Sequence, residues 1–216
     1  MRLTITCLLI FCLQFQSVAQ NHDWMAQFHR AILDTMKVTF TKPSTFLEEE
    51  GVECFKSYPK LESILTCAGN QLISKDGQVL AFLYIYKPFR KADSISMQKM
   101  FPDKSFDVID KVHTNTIRNS IKFSEGAQAA SNWKKYVTYY SDSDARTKFN
   151  ADTAIKFSIN LKQEDFYKNK FQFLRALFIQ KRDRGFLGIY VFSTPTAEGK
   201  IEDYWAQLET IFKYRD

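Results

Sequence analysis

The chain has 216 residues, 45% of them hydrophobic and 15% aromatic, with 30 Lys and Arg against 24 Asp and Glu. That is enough apolar material for one domain with a sizeable core, while seven Gly, five Pro and no repeat exclude a disordered stalk or a propeller. The formal charge of +6 is modest and spread along the chain, which favours solubility over a nucleic-acid partner.

Arg2 opens a run from Leu3 to Gln16 that is apolar, diluted by Thr4, Thr6, Gln14 and Gln16, and free of acidic residues. Ser17-Val18-Ala19 then supplies the small residues that a signal peptidase requires. The run falls short of the ~20 strongly apolar residues that span a bilayer. Residues 1–19 are therefore expected to be a signal peptide, cut after Ala19 or Gln20. Leu9-Ile10-Phe11 before Cys12 lacks the small residues that precede a lipidated cysteine, so a lipoprotein is not expected. The mature chain, 20–216, then carries 29 basic and 24 acidic residues and is read as exported, periplasmic or secreted, with no transmembrane segment.

Trp24, Phe28, Ile32 and Met36 recur every four residues, which predicts an amphipathic helix capped near Asn21 or Asp23. Val38-Thr39-Phe40 reads as a short strand. Two of the four cysteines leave with the signal peptide; Cys54 and Cys67 remain, in a chain bound for an oxidising space. They lack the C-x-x-C spacing of a redox pair, and no His lies near to complete a zinc site, so a structural disulfide is expected. Asp76-Gly77 between two apolar runs is the strongest hairpin signal in the chain, and Val79 to Tyr86 is apolar on both faces, as a central strand must be.

The middle third reads as more helical. Ser94 to Phe101 ends at Pro102, Ser105 to Ile121 is weakened by its β-branched residues, and Ala127 to Tyr140 has near-helical spacing. Ile155, Phe157, Ile159 and Leu161 then alternate with Lys156, Ser158 and Asn160, a strand with one wet face near a sheet edge. Phe171 to Gln180 and Phe186 to Thr194 flank the charged turn Lys181-Arg182-Asp183-Arg184-Gly185, a second hairpin, apolar on both faces. Ile201, Tyr204, Trp205, Leu208, Ile211 and Phe212 lie on one face of a helix expected from about Glu198 to Tyr214. The order of elements implies a single α+β domain: an antiparallel sheet built from hairpins, helices packed on it, and a C-terminal covering helix.

Motifs for chemistry are sparse. Asp142, Asp144 and Asp152 invite a calcium loop, but Arg146 and Thr147 stand where an oxygen ligand and Gly would be needed. Ser141 and Asp144 read instead as the capping box of a short helix. His22, His29 and His113 are isolated, and no G-x-S-x-G, P-loop, Rossmann glycine pattern or H-E-x-x-H occurs. No catalytic residue, metal or cofactor is assigned. The Lys181, Arg182, Arg184 turn is a candidate contact for an anionic surface, against the plainer reading of a solvated tip that discourages edge pairing.

Ala145-Arg146-Thr147-Lys148-Phe149-Asn150-Ala151-Asp152-Thr153, the alternating strand after it, Gln180 to Gly185 and the closing Tyr-rich helix resemble exported proteins of Gram-negative bacteria with no assigned function. The resemblance covers the last third of the chain and implies no site. The order of sheet and helices is similar, at the level of fold alone, to Mog1/PsbP-like proteins.

Three functions follow as expectations. The first is an exported, non-catalytic binding or accessory module of the cell envelope, whose partner is an envelope component or a small ligand. The second is a carrier of a small apolar ligand between sheet and helices; the third is a hydrolase using His113 or the Asp142, Asp144, Asp152 cluster. Two measurements test the exported state itself. Intact mass of the recovered protein should lack the first 19 or 20 residues, and thiol counting under denaturing conditions should find none free; two titratable thiols would rule out the Cys54–Cys67 bridge.

Overall fold

A strand that is apolar on both faces has to lie inside a sheet with cover on each side, and β8 (Gly185–Ser193) meets that condition along its whole length, every residue being buried. The computed structural model describes residues 35–50, 70–86, 95, 99–100, 112–161, 170–182 and 184–216. The signal peptide, Cys54, Cys67 and most of the helix expected at Trp24 to Met36 lie outside the described residues.

β8 pairs antiparallel with β7 (Phe173–Lys181) on one side and with β4 (Val79–Tyr86) on the other. Outward from these lie β3 (Asn70–Ser74) with β2 (Phe46–Glu50), and β6 (Thr153–Asn160) with β5 (Val137–Tyr139). The seven strands run in the order β2-β3-β4-β8-β7-β6-β5, every pairing antiparallel. β1 (Val38–Phe40) and β9 (Phe212–Tyr214) form a separate two-stranded ribbon.

Alternation along the strands divides the core in two. Leu80, Phe82, Phe178 and Tyr190 face Ile117 and Ile121 of helix α1 (Val112–Glu125), which α2 (Ala127–Ser131) follows. On the other face, Val79, Leu177, Ile189 and Val191 pack under Phe149 of α3 (Asp142–Phe149) and under Trp205 and Leu208 of α4 (Ile201–Glu209). Packing is tight at the centre. A Cβ on Gly188 would stand 2.9 Å from Phe178 Cε1, so glycine there makes room for that ring. The chain is a single α+β domain with the C-terminal helix laid across the sheet, as its pattern implies.

Three elements depart from the sequence expectation. The closing helix is shorter than Glu198 to Tyr214: a 3₁₀ turn at Glu198–Lys200 leads into α4, and the chain leaves the helix at Thr210. Leu208, Ile211 and Phe212 satisfy the helical period, but Phe212, Lys213 and Tyr214 also satisfy the period of two, and pairing with β1 decides between them. Ala127 to Tyr140 splits into α2, a 3₁₀ turn at Trp133–Tyr136 and β5, because Asn132 ends the helix and Val137-Thr138-Tyr139 favours a strand. Within the described residues the helix expected at Ser105 to Ile121 spans Val112–Glu125, four residues past its expected end, so tertiary packing of Ile117 and Ile121 outweighs β-branching.

Trp205 is 8% exposed and Leu208 0%. Trp205→Ala should therefore cost roughly 3–5 kcal/mol, the range for truncating a large core aromatic. That is a sizeable share of the ~5–15 kcal/mol available to a domain. Urea melts check this, and an unchanged midpoint would make α4 peripheral.

Candidate functional site

Beyond the reach of α4 the same sheet face changes character. β6 places Ala154 in the core under the helices, then Lys156 and Ser158 on the same face further along. Lys156 stands in register with Thr138 of β5 and Leu177 of β7, and Ser158 with Arg175 of β7. Thr138, Lys156, Ser158 and Arg175, with Tyr136, Glu202 and Trp205, line a polar cleft of about 340 Å³ between the β5-β6-β7 end of the sheet and α4.

The charges of the cleft are unevenly committed. Arg175 is taken up by α4 and the 3₁₀ turn before it: it lies 2.5 Å from Glu202 Oε1 and 3.8 Å from Glu198 Oε2. Lys156 makes no ion pair among the described residues; its ammonium sits 5.3 Å from the centroid of the Tyr140 ring. The hydroxyls of Thr138 and Ser158 and the indole N–H of Trp205 likewise have no acceptor among the described residues. Four donors thus share one cleft whose carboxylate, Glu202, is already held by Arg175.

A buttress behind the cleft fixes Lys156. The Tyr140 hydroxyl donates to Glu209 Oε1, and Lys148 of α3 pairs with Glu209 Oε2 at 3.2 Å. Lys148 also stands over the Tyr140 ring, 5.4 Å from its centroid, and Phe149 meets that ring edge-on. Burial and the Glu209 carboxylate push the Tyr140 hydroxyl well above the usual tyrosine range, so it remains a donor. Gln207 and Glu209 lie off the apolar face of α4, where the helical period predicts contact with water; both are partly covered, and the Glu209 side chain is only 14% exposed. Periodicity marks them as off the apolar face but does not show that α3 comes up beside α4.

Of the residues singled out from sequence, Asp142 and Asp144 lie in the first turn of α3, where Ser141 caps the helix by accepting the Asp144 N–H at 3.0 Å. Asp152 does not join them: its Oδ2 accepts the Arg182 N–H at 2.7 Å and secures the β7–β8 turn. His113 is in the first turn of α1, which packs on the opposite face of the sheet from α3. Sheet topology thus separates the histidine from the aspartates. Lys181, Arg182 and Arg184 do occupy the hairpin tip, and make no ion pair among the described residues. Gly185 there has φ 111°, a conformation that favours glycine, and its carbonyl accepts the Tyr214 hydroxyl at 2.8 Å. Cys54 and Cys67 lie outside the described residues.

Nothing in the sequence pattern marks Lys156, Ser158 and Thr138 as a site. Lys156 and Ser158 read as the wet face of an edge-side strand, which is where they stand; the overhanging Trp205 that turns a wet face into a cleft comes 47 residues after Ser158. Thr138 fell in a stretch read as helix.

At the far end of the sheet α4 is tied to the first hairpin. Asp76 accepts the Ser74 hydroxyl at 2.6 Å and the Tyr204 hydroxyl at 2.5 Å. These bonds hold its carboxyl below the usual range, the Ser74 bond most and the Tyr204 bond next; Tyr204 in turn is pushed up to about 12, chiefly by Asp76. A carboxylate depressed in the folded state stabilises above its unfolded pKa, about 3.9, and loses that contribution as pH falls through the folded value. Asp76→Asn should therefore be less stable than the parent at pH 6, and the gap should narrow as pH falls below about 4. Chemical denaturation at several pH values measures it; a gap that widens on acidification would remove the assignment.

Comparison with models of protein families, with curated proteins and with solved structures finds no match to this chain.

Proposed function

We propose that the protein is an exported, non-catalytic binding module of the cell envelope that holds an anionic group in the cleft between the β5-β6-β7 end of the sheet and α4. One observation carries this: four donors without acceptors among the described residues, Lys156, Ser158, Thr138 and Trp205, line the same cleft. A carboxylate or phosphate oxygen placed among them would accept charge-assisted hydrogen bonds, each worth more than a neutral one. Trp205 offers an apolar wall, and Glu202, held by Arg175, leaves the charge of Lys156 uncancelled. Export rests on the leader pattern of residues 1–19, and the expected Cys54–Cys67 bridge is in keeping with it.

The rival readings draw less support. A carrier of an apolar ligand requires room between sheet and helices, whereas Leu83, Leu177, Val191 and Leu208 fill the layer under α3 and α4, and the cleft beside it is lined by polar groups. A hydrolase built on His113 and the aspartates requires them in one cleft, and they stand on opposite sheet faces.

Titration of the ¹⁵N-labelled protein with inorganic phosphate tests the reading. Amide shifts should cluster at Thr138, Lys156 and Ser158, and Lys156→Gln should weaken the response at least about tenfold, as expected for removing one charged hydrogen-bond donor. Shifts confined to the Lys181, Arg182, Arg184 tip, or an unaltered response in Lys156→Gln, would overturn it.

A further inference from the structure

The cleft opens beside an outer edge of the sheet. Among the described residues β5 is the last strand, paired only with β6. The Tyr140 N–H donates to Ala154 O at 3.0 Å, which makes Tyr140 and Ala154 a hydrogen-bonded pair. In an antiparallel ladder such pairs alternate with pairs whose N–H and C=O turn away from the partner. Thr138 opposite Lys156 is then bonded, while the backbone groups of Val137 and Tyr139 point out of the sheet. Those groups of Tyr139 have no backbone or side-chain partner among the described residues. Tyr136 and Tyr139, 41% and 49% exposed, are two of the large hydrophobic side chains left on the surface, and they flank this edge.

Charge grades along the edge. Lys134 and Lys135, both exposed, lie in the 3₁₀ turn that leads into β5, and neither has an ion pair among the described residues. Lys156 lies one strand inward, in the cleft. At the other end Asp142 and Asp144 begin α3. An occupant therefore meets positive charge at the start of β5 and negative charge at its end.

We infer that β5 is a docking edge for an extended peptide segment of another protein, which adds antiparallel to β5 and carries acidic residues in its C-terminal half. This rests on the anion-binding reading of the cleft and gives its ligand a class. Added as a strand, the segment would satisfy the outward groups of Val137 and Tyr139. Running antiparallel, it would bring its C-terminal half to Lys134 and Lys135, with one acidic side chain over the cleft to Lys156. Exposed tyrosines at the two sides of the edge supply contact area at small entropic cost. A second copy of this chain is the weaker candidate. Self-pairing would join only three residues of each edge, against the ~800 Å² per partner of a standard stable interface.

The test uses the full chain as recovered after export and three N-terminally labelled peptide amides, followed by fluorescence anisotropy. The first peptide is Thr-Val-Thr-Val-Thr-Glu-Val-Glu, the second has Lys in place of Glu, and the third is the first with alternate backbone nitrogens methylated. The acidic peptide should bind about fivefold more tightly than the lysine peptide, the upper end of the range for an exposed charge pair. The methylated peptide should bind as weakly as the lysine one, because it cannot donate to the edge. Tyr139→Pro removes the outward N–H without touching the ladder to β6; it should abolish peptide binding and leave the phosphate shifts at Lys156 unchanged. Equal binding of the methylated and unmethylated peptides would overturn strand addition. Phosphate shifts at Lys156 with no peptide binding would also overturn it, while leaving the anion cleft standing. Absence of phosphate shifts would sink both. A dimer in sedimentation that Tyr139→Pro dissolves would replace the peptide by a second copy.

Discussion

The constraint that organises this molecule is β8, a strand of nine residues buried from end to end. A strand in that position needs neighbours on both sides and cover on both faces, since each exposed apolar face would forgo roughly 25 cal/mol for every Å² left in water. β4 and β7 supply the neighbours, α1 covers one face, and α3 with α4 covers the other. Aromatic rings do much of the filling: Phe178 packs against Phe186 and Tyr190 with centroids 4.9 and 5.3 Å apart, and Phe82 meets Phe192 edge-on at 5.3 Å. Gly188 beside Phe178 is the counterpart of this crowding, a side chain omitted so that the ring has room against the strand.

The C-terminal segment does more than cover. It grips the central hairpins at their opposite ends, through Tyr204 on Asp76 at the β3–β4 turn and through Tyr214 on the Gly185 carbonyl at the β7–β8 turn. A third bond, from the Asn150 amide to the Tyr214 carbonyl at 3.1 Å, ties α3 into the same clasp. Asn150 takes a left-handed conformation there, φ 50°, as a helix C-cap with Asn often does. These contacts span from 29 to 128 residues of sequence, so closing the clasp fixes the register of elements that local propensity leaves free.

The architecture was largely legible in the sequence and the site was not, for one physical reason. Periodicity reports which face of an element is apolar, and that sufficed for both hairpins, for the alternation of β6 and for the burial of Trp205 and Leu208. It was ambiguous where two periods coincide, as at Leu208 to Phe212, and where strand-forming residues follow a weak helix, as at Val137 to Tyr139. The cleft depends instead on how far α4 extends over the sheet. A polar residue on a wet strand face and one on the floor of a cleft have the same sequence signature. Only the placement of Trp205 and Glu202 above them distinguishes Lys156 and Ser158 from an ordinary edge.

That placement also explains why a cation with no ion pair among the described residues is tolerated there. A buried, unpaired ammonium would be strongly destabilising, but Lys156 is only half-buried and water reaches the cleft. Its ammonium rests against the face of Tyr140, an interaction worth ~0.5–1 kcal/mol at exposed sites. The same ring is held from below by Glu209 and Lys148, so the lysine is positioned without being neutralised. A carboxylate in place of that ring would have stabilised the fold by a similar amount and cancelled the charge. An aromatic support keeps Lys156 oriented and still cationic, and a partner bringing its own carboxylate can meet it at small desolvation cost.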